Sequence, residues 1–274
     1  MEHKYRAIAT FLKESHGIDI SGFDSSFVEK SIERRRIVLK NLSIPDYLHQ
    51  LITNAEEVHL LMDSLHISYS EFFRNPLTFA CLEQMVLPLL SARKREGQPA
   101  GMRIWSAACA SGQEAYSMAI LLDEMNATSV EKIKFQLFAT DNNQAELTKA
   151  KEGRYSLSSI NKVTLKRVQS YFMQQEVYYL LSPRVKGSVD FSLFDLLSDS
   201  RTCPSPSIYG NFDLVFCSNV LFYYDPASRL RILEKVGNTL SVGAFLVTGE
   251  TERDILLKNG YNEVFPHSAI FQKK

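Results

Sequence analysis

The chain has 274 residues, 45% hydrophobic and 23% charged, enough to bury a full α/β core with room for a small second domain. Its 31 lysines and arginines balance 31 aspartates and glutamates, so it lacks the basic excess of a general nucleic-acid binder. No apolar run approaches the roughly 20 residues of a membrane span, the charged N-terminus has no signal-peptide core, and Cys81, Cys109, Cys203 and Cys217 show neither metal nor redox spacing. These features lead us to expect a reduced, cytoplasmic protein without a bound metal.

Residues 1 to about 65 read as four short helices. Ala7, Ile8, Phe11 and Leu12 make one stripe, and Phe27, Ile32, Leu39 and Leu42 a second. Ser43 before Pro45 and Asp46 starts a third, and Val58, Leu61, Met62 and Leu65 mark a fourth. The second helix carries Lys30, Arg34, Arg35, Arg36 and Lys40. Such a face is either simply solvated or a docking surface for an acidic partner, since concentrated positive charge steers negative surfaces.

In Ser70-Glu71-Phe72-Phe73-Arg74-Asn75-Pro76, two adjacent aromatics cannot share one helix face. The segment is therefore expected to be clamped between layers with Arg74 beside it. Pro76 to Leu90 is predicted helical, and Ser91 to Gly101 a polar, flexible connection.

Met102 to Leu122 changes period. Met102–Ser106 is a short strand, Ala107-Ala108-Cys109-Ala110-Ser111-Gly112 a small-residue turn, and Ala115, Met118, Ala119 and Leu122 recur at helical spacing. Strand, turn and helix is how α/β folds hold a nucleotide-like ligand at the carboxyl ends of strands, although G-x-G-x-x-G is missing. A second strand ends at Asp141, which suits either a ribose-binding acid or the N-cap of the helix from Gln144 to Lys151.

Aromatic residues around Tyr171 and Val177–Leu181 suggest a short antiparallel excursion. Further strands follow at Val189–Leu197, Phe212–Cys217 and Ala244–Thr248, with a helix over Arg229–Leu240 between the last two. Glu263–Phe265 and Ala269–Gln272 can close an antiparallel edge.

The blocks SEFFRNP (70–76), RIWSAACASGQEAYSMA (103–119), FATDNNQAELTKAKEGRYS (138–156), FDLLS (194–198) and FDLVFCSNVLFYYD (212–225) make the chain resemble the CheR family of chemotaxis-receptor glutamate O-methyltransferases over nearly its whole length. The resemblance implies a doubly wound, Rossmann-like S-adenosylmethionine methyltransferase sheet in residues 71–274. An N-terminal all-helical domain over 1–70 and a small antiparallel β-subdomain inserted at about 170–190 complete it. It also implies that the cofactor is S-adenosylmethionine, leaving as S-adenosylhomocysteine. The partner would be the cytoplasmic helical domain of chemoreceptors, met by the basic helix of a monomer, with no nucleic acid and no membrane insertion.

Carried over position by position, the resemblance gives Arg74 the arginine beside the methionine part of the cofactor and Tyr223 the tyrosine facing the methyl-transfer centre. Cofactor contacts fall on Ser68, Ser70, Arg74, Ala108, Glu114, Asp141, Asp195, Leu196, Ser218 and Asn219. Several positions depart from the family pattern. Ser68 and Ser70 stand for asparagine and threonine, Gln113 for the first acid of a Gly-Glu-Glu segment, Asp195 for asparagine and Ser218 for arginine. A carboxylate at 195 cannot donate the hydrogen bond an amide gives. These departures keep two alternatives open: a non-catalytic cofactor-binding signalling module, or a methyltransferase with a non-receptor substrate. A nicotinamide oxidoreductase is disfavoured by the missing glycine fingerprint. The segment 177–189, short and with Gly187 as its only glycine, argues against docking of a receptor tail peptide.

A glutamate carboxylate, with its usual pKa near 4.3, is already an ionised nucleophile at neutral pH, so the expected reaction needs positioning rather than a general base. Arg74 has the fork to orient a carboxylate, and its other reading is a salt bridge between domains. Tyr223 either bonds the substrate or is a core aromatic with a satisfied hydroxyl.

Overall fold

The computed structural model describes residues 5–65, 69–97, 101–207 and 210–273. Contacts divide the chain into two compact units, Met1–Ile67 with Leu221–Arg231, and Ser68–Val220 with Ile232–Lys274.

The first unit holds the four expected helices: α1 (Arg6–His16), α2 (Ser25–Val38), α3 (Ile44–Thr53) and α4 (Ala55–Leu65). Asp24 caps α2 by accepting from the N–H groups of Ser26 and Phe27, and Ser43 caps α3 by accepting from Asp46 N–H. Ile8, Leu12, Val28, Ile32, Tyr47, Leu51, Val58, Leu61 and Leu65 close the core. The segment from Leu221 belongs here: Phe23 stacks on Tyr224, with ring centroids 5.2 Å apart, and Asp24 N–H donates to the Tyr223 carbonyl at 2.8 Å.

The second unit begins with α5 (Pro76–Cys81), which continues through a π-turn at Leu82–Val86 into α6 (Leu87–Gly97). Residues 91–97, expected to be a flexible connection, are thus helical. Their composition is polar, but Arg93 donates to the Gly243 carbonyl at 2.8 Å and Lys94 pairs with Asp213 at 2.9 Å. Two long side chains on good helix formers anchor the turn.

Then follow β1 (Met102–Ser106), α7 (Gln113–Thr128), β2 (Phe135–Asp141), α8 (Gln144–Glu152), β3 (Arg154–Ser156), α9 (Leu165–Tyr171), β4 (Phe172–Gln175), β5 (Tyr178–Leu181), α10 (Pro183–Lys186), β6 (Val189–Leu193), β7 (Phe212–Phe216), α11 (Pro226–Thr239), β8 (Leu240–Val247), α12 (Arg253–Lys258), β9 (Tyr261–Glu263) and β10 (Ile270–Lys273).

Among the described residues the main sheet has seven strands in the order β6-β2-β1-β7-β8-β10-β9. The first five are mutually parallel, and β10 runs antiparallel to β8 and β9. This is the doubly wound sheet of the sequence reading, with the chain reversing direction outward from β1. Helix α7 is buried almost all round, from Ala115 to Leu122, which explains why its pattern is more apolar than a one-sided stripe.

A separate antiparallel sheet, β3-β5-β4, pairs Tyr155 with Tyr179 and Gln174 with Tyr179. Its first strand lies at Arg154–Ser156, ahead of the 170–190 stretch, and Val189 onward belongs to the main sheet. Tyr155 donates to the Ser111 carbonyl at 2.8 Å, tying this small sheet to the turn after β1. Phe72 packs edge-on against Tyr155 and Phe172, so the paired aromatics are clamped between layers as expected. No helix among the described residues is long and apolar enough to cross a membrane.

Candidate active site

The carboxyl ends of β1, β2 and β7 meet at the turn 107–112, which is sewn to both neighbouring strands. Ala107 N–H donates to the Phe216 carbonyl at 2.8 Å, and Cys109 N–H to the Thr140 carbonyl at 2.9 Å. Gly112 closes the turn at φ 92°, and a Cβ there would stand 3.0 Å from Ala150 Cβ and 3.3 Å from the Phe191 ring. The small residues therefore bring the backbone close to the strand ends, where open α/β sheets bind ligands.

Two acids flank this turn. Asp141, last residue of β2, accepts from Ala110 N–H at 2.8 Å on one oxygen and from Asn143 N–H at 2.9 Å on the other. It does not cap α8. Asn143 does, accepting from Ala145 and Glu146 N–H, because the cap position falls two residues later. Ala110 sits at φ 46°, a left-handed conformation costing a non-glycine residue about 1–2 kcal/mol, and Asp141 holds it there.

Glu114, in the first turn of α7, accepts from Ser106 Oγ at 2.7 Å and faces Ser218, whose Oγ donates to the Val247 carbonyl at 3.4 Å. Burial pushes its carboxyl up to about 7. The two hydroxyls and the charge of Arg74 oppose that rise, and the charge of Glu252 adds to it.

Arg74 follows Phe73, which is also left-handed at φ 51° with its N–H on Ser117 Oγ at 2.9 Å. The Arg74 guanidinium donates to the Tyr69 carbonyl at 3.1 Å and lies 5.2 Å from the Tyr69 ring centre. Among the predicted residues, the structure thus brings Arg74, Glu114 and Ser218 together, with Asn219 next in the chain. Half-buried Ala108 lies on the turn, and Asp141 is bonded to the turn from the end of β2.

The remaining predicted residues are placed as follows. Ser70 is half-buried between Tyr69 and Glu71, and Ser68 lies outside the described residues. Leu196 is buried, whereas Asp195 is exposed and its carboxylate accepts from Leu197 N–H at 2.8 Å. Tyr223 belongs to the helical unit, its ring 4.8 Å from that of Phe27 and 4.1 Å from that of Phe222.

The basic helix divides. Arg35 is engaged by Glu57, which is 2% exposed, through two bonds of 2.9 and 2.6 Å, and Tyr47 bonds the same carboxylate at 2.9 Å. Arg36 bonds Glu33 and the Leu42 carbonyl at 2.6 Å. Lys30, Arg34 and Lys40 are exposed, beside Ile37 and Val38, each 66% exposed.

Sequence reasoning missed Glu252, wholly buried and bonded to Asn219 N–H at 2.6 Å. In Gly249-Glu250-Thr251-Glu252 both acids look like ordinary helix-start residues. The glycine after a strand is the one mark of a close approach: a Cβ on Gly249 would lie 2.8 Å from Asn219 Oδ1.

Two family models match end to end: the CheR methyltransferase all-alpha domain over residues 3–66 and the CheR methyltransferase SAM binding domain over 68–269. The chain belongs to the CheR methyltransferase family. It is 34% identical over 197 residues to chemotaxis protein methyltransferase 1 of Pseudomonas aeruginosa, covering 70% of this chain and 69% of that one. The Listeria monocytogenes chemotaxis protein methyltransferase matches at 26% over 92% of this chain and 91% of its own, and that of Escherichia coli at 29% over 90% and 83%. This CheR methyltransferase is accordingly an S-adenosylmethionine-dependent enzyme.

Proposed function

We propose that this chain methylates glutamate side-chain carboxylates of chemotaxis receptors, forming methyl esters. The supporting relatives bear the name chemotaxis protein methyltransferase. The observation that carries the reading is the placement of two acids of different character around one small-residue turn. Asp141 stands half-buried at a strand end, where a carboxylate can accept from ribose hydroxyls. Glu114 is buried, and its proton is held to about pH 7, so it gains from a cation placed against it. S-adenosylmethionine fits that pair: it has a ribose, a cationic ammonium and sulfonium, and no pyrophosphate needing a multi-glycine cradle.

When bound, the cofactor supplies an electrophilic methyl group on a sulfonium. Held by Asp141 and Glu114, it would supply that methyl group to an incoming substrate carboxylate and leave as S-adenosylhomocysteine. No proton moves, because the carboxylate is ionised already. Arg74 orients the incoming carboxylate, shared with the cofactor's own carboxylate so that the nucleophile is not quenched. Ser106 holds Glu114 toward the cationic end, with Ser218 beside it. Ser70, Ala108, Asp195, Leu196 and Asn219 line the remainder.

The charge state of Glu114 makes binding pH-dependent. A bound cation favours the carboxylate and so releases its proton, which weakens association below pH 7. Affinity for S-adenosylmethionine is expected to rise about tenfold from pH 5.5 to 7 and then to level. Calorimetry in buffers of different ionisation enthalpy would read the released proton. Glu114→Gln should bind with a flat profile over that range, and a flat wild-type profile would remove Glu114 from the cationic end.

Receptor docking falls to Lys30, Arg34 and Lys40 with Ile37 and Val38, a mixed basic and apolar stripe suited to an acidic amphipathic helix. We assign the enzyme to the cytoplasm, as a monomer. Incubation with cytoplasmic receptor fragments and labelled methyl donor should yield base-labile methyl esters. Lys30→Glu with Arg34→Glu should raise KM for the fragment about tenfold or more, less so at high salt, with kcat unchanged. Cofactor binding without ester on any fragment would instead support a non-catalytic module or another substrate.

A further inference from the structure

Three segments reach the candidate site with one non-glycine residue each in the left-handed region: Phe73 at φ 51°, Ala110 at 46° and Asn219 at 59°. In every case that residue's N–H donates to a side-chain oxygen from another segment: Ser117 Oγ at 2.9 Å, Asp141 Oδ2 at 2.8 Å and Glu252 Oε2 at 2.6 Å. Left-handed backbone persists only where its surroundings over-determine it, and it gathers at functional sites.

The third clamp is the most elaborate. Glu252 is wholly buried. Its Oε2 also accepts from Gly249 N–H at 2.9 Å and from Thr248 Oγ1 at 2.9 Å, and Thr248 is fixed to the Ala269 carbonyl through its own N–H at 3.0 Å. Gly249 lets this loop lie directly on Asn219, since a Cβ would meet Asn219 Oδ1 at 2.8 Å and Glu252 Oε2 at 2.9 Å. The residue before Asn219 is Ser218, which donates to the Val247 carbonyl at 3.4 Å and faces Glu114.

We propose that Glu252 is a positioning residue for methyl transfer: it locks the Ser218–Asn219 peptide at the end of β7 and thereby sets the wall against which Glu114 and the cofactor are held. The inference rests on the cofactor site proposed above. Glu252 acts through Asn219 and Ser218, and also through its charge. Glu114 faces Arg74 and Glu252 as charged neighbours, and the buried thiols of Cys109 and Cys217.

The test compares Glu252→Gln and Glu252→Ala in the full chain, with cofactor binding followed by calorimetry against pH and ester formation on receptor fragments. Glu252→Ala releases the clamp and is expected to lower kcat/KM about 10- to 100-fold, as misplacement of a site wall does. Glu252→Gln keeps an acceptor oxygen for the same three donors, so its kcat should recover to within about threefold of wild type. Its lost charge should move the midpoint of pH-dependent cofactor binding to lower pH, which a merely structural role would leave in place. A wild-type rate in the alanine variant, or a glutamine variant as poor as alanine, overturns the proposal. Should the alanine variant not fold, the glutamine variant decides, and an unmoved midpoint overturns it. If wild-type protein binds no S-adenosylmethionine, the cofactor-site reading fails instead, and the two failures are distinguished by the wild-type titration alone.

Discussion

Arg74→Ala is expected to cut kcat for methyl transfer about 100- to 1000-fold, roughly 3–4 kcal/mol of barrier, the scale on which removal of one preorganised charged donor acts. The side chain is preorganised. Phe73 is held left-handed by Ser117, the preceding aromatics are packed against Tyr155, Phe172 and Phe79, and the guanidinium is set by the Tyr69 carbonyl and ring. Little reorganisation is left for the moment of reaction.

Cofactor affinity should fall much less than kcat, yet it should fall. Arg74 is the charge that opposes the raised carboxyl of Glu114, and without it Glu114 keeps its proton to higher pH, so the loss in affinity is larger at pH 6 than at pH 8. Arg74→Lys separates the two effects: the point charge restores the pH profile of binding, whereas the planar fork that orients a carboxylate is gone, and kcat stays low. Single-turnover rates with saturating S-adenosylmethionine and calorimetric affinities for S-adenosylhomocysteine would measure both. Methyl transfer at the wild-type rate by the alanine variant would remove Arg74 from the reaction.

Much of this arrangement was legible in the sequence where a local rule applied. The change of period across Met102–Leu122 placed the turn, Ser43 before Pro45 placed a helix start, and alternation ending on Asp141 placed an acid at a strand end. What escaped was set by partners distant in sequence. Five cations on one helix suggest a solvated or docking face, yet Arg35 is withdrawn by Glu57, 22 residues on. A stricter reading of spacing points there: Val28, Ile32 and Arg35 fall at i, i+4 and i+7, so Arg35 shares the buried stripe. The polarity of residues 91–97 suggests a loop, but polarity reports solvation and not backbone conformation. Glu252 was invisible because its partner Asn219 is 33 residues away and nothing local distinguishes it from Glu250.

Asp141→Ala is expected to raise the dissociation constant for S-adenosylhomocysteine about 100-fold, or roughly 2.7 kcal/mol. Two losses combine. A carboxylate bonded to ribose hydroxyls is worth about 1.5–3 kcal/mol as a charged acceptor. The same carboxylate pins Ala110 in its left-handed state through one oxygen and steadies the start of α8 through Asn143 with the other, so its removal lets the turn relax away from the cofactor. Asp141→Asn is not a mild change here. Both carboxylate oxygens receive a backbone N–H, and an amide has one oxygen to offer, so its NH2 must oppose either Ala110 or Asn143. The asparagine variant should therefore lose most of the affinity that alanine loses. Ala110→Gly takes the left-handed backbone without strain and relieves the need for the clamp. Added to Asp141→Ala, it should recover the part of the loss that belongs to the turn and leave the part that belongs to the ribose. An Asp141→Ala affinity within threefold of wild type would place the ribose elsewhere, and a full recovery by Ala110→Gly would show that Asp141 serves the turn alone.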